Sequence, residues 1–175
     1  ISLKAGYSRA LAQYHYPDKT LLAAELLAER IRRDNHLELL AVADGLRPDE
    51  AWERLRVHFQ EVKQYYGALH GRSSRSSALR GEMALHHAAV MSDDPIILDL
   101  VREMTRELIS RFNRLLEICV KGRLLKHDTD VPALAVLHVH AIWGLALALF
   151  ANPKGAKQIA GAFDQHWRMM EMLRR

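Results

Sequence analysis

Between Ala133 and Ala151, nineteen residues pass without a formal charge. Read as a helix, such a run has no polar face to turn to water, so it must be enclosed by lipid or covered by protein on more than one side. His138 and His140 sit in mid-run, alanine is frequent, and no second stretch resembles it. These features favour a helix buried on all sides in protein, and no membrane partner is expected. Its own chain covers one side; a second copy is expected on the other, making a homodimer. Ala141, Gly144 and Ala148 let two backbones approach there, and Leu108 and Leu115 of the preceding helix are expected in the same interface.

The rest of the chain is helical in pattern too. Strand signals are nearly absent, with no alternating apolar run closed by Asn-Gly or Asp-Gly, so the fold class is all-α. A first long helix is expected from near Asp18 to Ala43, ended by Gly45. Pro48 opens the next, with Asp49 and Glu50 in its first turn and an apolar stripe of Trp52, Leu55, Phe59, Val62 and Tyr66. Residues 67–77, rich in serine, read as a loop, and a short helix follows through Leu79, Met83, His87 and Val90. Ser92-Asp93-Asp94-Pro95 starts a long helix through Ile97, Val101, Met104, Leu108, Leu115 and Cys119, stopped by Gly122. Asn152-Pro153 closes the charge-free helix, and a last one carries Ile159, Phe163, Trp167, Met170 and Leu173.

A length of 175 residues, 49% of them hydrophobic, suffices for one real core. The formal charge of +4 is compatible with nucleic acid without requiring it. The one cysteine, Cys119, lies between Ile118 and Val120, which reads as core packing in a reducing compartment. Lys4, Arg9, His15 and Lys19 interrupt the first twenty residues where a secretory leader would be apolar, so a cytoplasmic location is expected. No Gly-rich phosphate loop, His-Glu-x-x-His or Gly-x-Ser-x-Gly occurs, and an enzyme is not expected. Neither is a cofactor or a metal site, because His86 with His87 and His138 with His140 do not share a helix face as ligands four apart do.

The earliest residues carry the most functional information. Gly6 suits a tight turn, Ser8 can cap the helix behind it, and Pro17 ends that helix at Tyr16. The resulting helix of eight or nine residues is too short to hold itself and must pack on partners, as the second helix of a helix-turn-helix does. It bears Arg9, Gln13, Tyr14 and His15, side chains that reach bases and phosphates of double-stranded DNA, with Lys19 placed for a phosphate at the next helix start.

Ala5-Gly6-Tyr7-Ser8, then Tyr14-His15-Tyr16-Pro17-Asp18-Lys19 with Leu21 and Leu22, resembles the TetR (tetracycline-repressor) family of transcriptional regulators. The resemblance extends more weakly over the later helices. It implies a homodimeric repressor that binds a palindromic operator through Ser8, Arg9, Gln13, Tyr14, His15 and Lys19. Ala12-Gln13 departs from the Leu-Tyr common there in the family, and Tyr14 is expected to take over the aromatic phosphate contact. The family has a complete first helix and most of a second ahead of the turn, where this sequence has Ile1-Ser2-Leu3, so the DNA-binding part is expected to be N-terminally incomplete. Residues 1–44 are then the remnant of the DNA-binding domain with its connecting helix, and 45–175 the ligand-binding and dimerisation domain.

Trp52, His58, Phe59, Tyr65, Met83, His87 and Phe112 mix aromatic and polarizable walls with a few polar tips, as ligand pockets do. They are expected to line a cavity for a small, mostly apolar effector among the helices 48–66, 78–91 and 95–122. The alternative reading is a helical protein-interaction adaptor without DNA binding.

Overall fold

The computed structural model describes residues 22, 24–26, 28–29, 38–68, 80–81, 83–84, 87–91 and 93–175. Four long helices dominate: α1 (Pro48–Gly67), α2 (Pro95–Lys121), α3 (Val131–Ala151) and α4 (Ala156–Glu171). Residues 22–29 and 80–90 are also helical wherever they are described. Among the described residues there is no strand, and one isolated bridge pairs Leu125 with Arg174. The fold is all-α, as its periodicity requires.

Each helix start has a local cause. Pro48 occupies the first turn of α1, and the Arg47 backbone N–H donates to the Glu50 carboxylate at 3.0 Å. Asp94 accepts from the backbone N–H groups of Ile96 (2.9 Å) and Ile97 (3.4 Å) at the start of α2. Asp130 caps α3 through the Ala133 N–H at 3.1 Å. Past Ala151 the Asn152 side chain accepts from the Gly155 N–H at 3.2 Å, turning the chain through Pro153–Gly155 into α4. Gly45 takes a left-handed φ of 74°, as expected of a glycine at a chain reversal.

The long helix α2 does stop at Gly122, but not through a left-handed conformation of that glycine. Its φ is −80°, open to any residue, and the left-handed position falls on Arg123 at 62°. What Gly122 supplies is room. A Cβ built there would lie 1.9 Å from Cγ of Pro48, so the end of α2 meets the start of α1 only because no side chain intervenes.

The packing runs from α1 to α2, α2 to α3, α3 to α4, and from α4 back to α1. The main core joins Trp52 and Leu55 of α1, Phe112, Leu115, Leu116 and Cys119 of α2, Ala135 and Val139 of α3, and Met170 of α4. Burial pushes the Cys119 thiol up to about 12, which makes it an inert packing group. A second core gathers Phe59, Val62, Met83, Ile142, Ala146, Leu149 and Phe163. A smaller one, Ala24 with Ala89, Ile97 and Val101, ties the segment 22–29 to α2.

Helix α3 is not enclosed by its own chain. Its length and composition would allow it to cross a membrane, yet only 33% of its most apolar stretch is buried. Ala135, His138, Val139, Ile142, Ala146 and Leu149 face inward, while Val136, Leu137, Gly144 and Leu147 are exposed. Among the described residues, then, α3 is covered on one side.

Candidate functional site

The residues expected around an effector separate into three environments. Trp52, His58, Phe59, Met83 and Phe112 are buried, Tyr65 is half-buried and His87 is exposed. Trp52 and Phe112 belong to the main core and Phe59 to the second. Met83 and His87 line an open groove on the outer side of this packing. On the α2 side of the region expected to hold an effector, Phe112 packs against His58 and His138.

That packing centres on three imidazoles. His58 of α1 meets the Phe112 ring edge-on at 5.0 Å and 82°. Phe112 lies 4.5 Å from the ring of His138 on α3, and Nδ1 of His138 is 2.8 Å from Nε2 of His166 on α4. Phe59 borders both His138 and His166 and stacks on Trp167 at 5.2 Å, which in turn lies 5.2 Å from Trp52. His138 is fully buried, and its Nε2 has no hydrogen-bond partner among the described residues. Burial holds its imidazole well below the usual histidine range, with nearby His166 and His58 acting the same way; burial also lowers His166. Both rings are neutral at pH 7, so one donates its single N–H to the other's lone pair. Among the described residues no three His, Cys, Asp or Glu side chains assemble to hold a metal ion.

The open space lies one layer outward. A cavity of about 150 Å³ is bounded on one side by Tyr66 of α1 and by Met83, His87 and Val90. Trp143, Gly144, Ala146 and Leu147 of α3 close the other side. A second, larger groove of about 480 Å³ lies between Ala28 and α2 and is rimmed by Glu103, Arg106, Glu107 and Arg111. It is charged, and Glu107 and Arg111 already pair at 2.6 Å.

The residues expected between protomers also divide. Gly144 is exposed, and Ala141, Ala148 and Leu108 are half-buried, so part of each faces outward. Leu115 is fully buried in the protomer's own core and has no surface to offer a second copy. The exposed stripe that the sequence reading did not name is Val136, Leu137 and Leu147, at 44%, 55% and 39% exposure. Ser8, Arg9, Gln13, Tyr14, His15 and Lys19, and most of the segment 1–44, lie outside the described residues.

Sequence reasoning missed the His138–His166 pair and the part of α3 in the cavity wall. The two histidines are 28 residues apart on different helices, and no local spacing relates them. Trp143 and Gly144 were legible only as members of an apolar run. No family model matches the chain, and neither a curated protein nor a solved structure matches it.

Proposed function

We propose that the chain is the larger part of a TetR-like transcriptional regulator, a repressor that binds a palindromic operator as a homodimer and is released by a small, mostly apolar ligand. The observation that carries this reading is the sequence order from Ala5 to Lys19, in which Gly6, then Ser8, then Arg9, Gln13, Tyr14 and His15, then Pro17 before Lys19 follow the pattern expected of a turn and recognition helix. The uncovered apolar stripe of α3 supports the two-copy assembly, because palindromic operators are read by two-fold dimers. The cluster of Ala24 with Ala89, Ile97 and Val101 supports coupling, since it joins the segment behind the recognition helix to α2. A ligand acts there only through its differential affinity for the two spacings of the recognition helices, and a tenfold loss of DNA affinity needs about 1.4 kcal/mol.

The test is selection of full-length protein against random duplexes. A palindromic motif should be enriched, with affinity that falls steeply as salt rises through release of counterions from the phosphates. If no motif is enriched, the second reading gains: the same stripe on α3 also suits a helical adaptor that binds another protein and no DNA.

A further inference from the structure

We propose that the 150 Å³ cavity between α1, the segment 80–90 and α3 binds a compact, uncharged aromatic molecule about the size of one substituted ring. The cavity exists because α3 places Gly144 and Ala146 at positions where its neighbours carry leucine and isoleucine. Gly144 is exposed and a Cβ built on it meets no atom within 4 Å, so no side chain covers the groove at that position. The groove has room for about 150 Å³ and is open to solvent along its exposed residues His87, Val90, Gly144 and Leu147.

The walls select the chemistry. Tyr66 and Trp143 contribute aromatic side chains and Met83 a flexible, polarizable one, a wall chemistry that favours a planar aromatic guest. Among the described residues no Asp, Glu, Lys or Arg lines the groove, so a charged guest would lose hydration with no counter-charge from them in return. His87, exposed and lining the groove, contributes its polar imidazole. Gly144 and Leu147 belong both to the cavity wall and to the exposed stripe of α3, so a bound molecule is felt on the face that a second copy would cover.

This deepens the effector part of the function proposed above, but binding itself is tested without DNA. The whole protein is titrated with toluene, phenol and benzoate while the methionine methyl resonances are followed, with Met83→Leu to assign the Met83 signal. Toluene and phenol should shift that methyl saturably at one molecule per chain; benzoate should not. Gly144→Leu fills the space from α3 and Val90→Phe from the facing wall, and each should weaken phenol binding at least tenfold. Val90→Phe lies off α3 and remains decisive if Gly144→Leu alters assembly. The proposal is overturned if neither neutral compound shifts Met83 saturably, if benzoate binds as well as phenol, or if both filling variants bind like the parent. It also fails if the ligand-free Met83 signal moves with protein concentration while toluene does not compete, because a second copy then fills the space. Phenol binding without any effect on operator affinity would leave the cavity assigned and count against effector coupling alone.

Discussion

At Gly122 the absence of a side chain decides whether the end of α2 can meet the start of α1. A methyl there would lie 1.9 Å from Cγ and 2.6 Å from Cβ of Pro48, distances no relaxation of one ring removes. Gly122→Ala should therefore destabilise the fold by about 1–3 kcal/mol, the usual range for overpacking, read as a lower urea midpoint. Its neighbour predicts the opposite sign. Arg123 holds a left-handed φ of 62°, and Arg123→Gly should raise stability by roughly 0.5–1 kcal/mol, the relieved strain less glycine's greater entropy in the unfolded chain. The third residue-scale prediction concerns His138 and His166. Both imidazoles are held below their ordinary value by burial, so the folded state keeps them neutral where the unfolded state would protonate them. Their contribution is fully present above about pH 6.5 and is lost as pH falls, at most about 1.4 kcal/mol per pH unit for each ring. Denaturant midpoints measured from pH 7.5 to 5 should decline, and His138→Leu should flatten that decline; an unchanged slope would show that these rings do not set it.

Among the elements, α2 and α3 show how differently a helix can be specified. α2 carries its own instructions: Pro95 in the first turn, Asp94 as the cap, and one apolar side with Arg102, Glu103 and Arg106 exposed on the other. Asp94→Ala should cost about 1 kcal/mol, the usual value of such a cap. α3 has a cap in Asp130 but no polar side, so its sequence says that it is covered without saying by what. Its inward side is settled by α2 and α4, and Leu137 stands at the centre of what remains. Leu137→Lys should convert the proposed dimer to a monomer in sedimentation at micromolar concentration. Because Leu137 is mostly exposed, helicity and melting should stay near those of the parent. A variant that remains dimeric would remove α3 from the proposed interface.

For the molecule as a whole, assembly and DNA recognition are expected to fail together. Full-length Leu137→Lys should bind the selected operator at least tenfold more weakly than the parent, since a monomer engages one half-site; equal affinity would separate the two. Sequence alone determined the helical class, the starts of α1, α2 and α3, the closure of α3 at Asn152-Pro153 and the buried stripes led by Trp52, Ile97 and Phe163, because caps and helical periodicity act between residues a few positions apart. Tertiary structure decided the rest. Leu115 turned into the core and Leu137 out of it, Phe112 packed against His58 and His138, and an apolar groove formed beside Gly144. Those outcomes depend on which faces of distant helices meet. An apolar residue is equally content against its own chain, a second copy or a ligand, and only the geometry of packing distinguishes them.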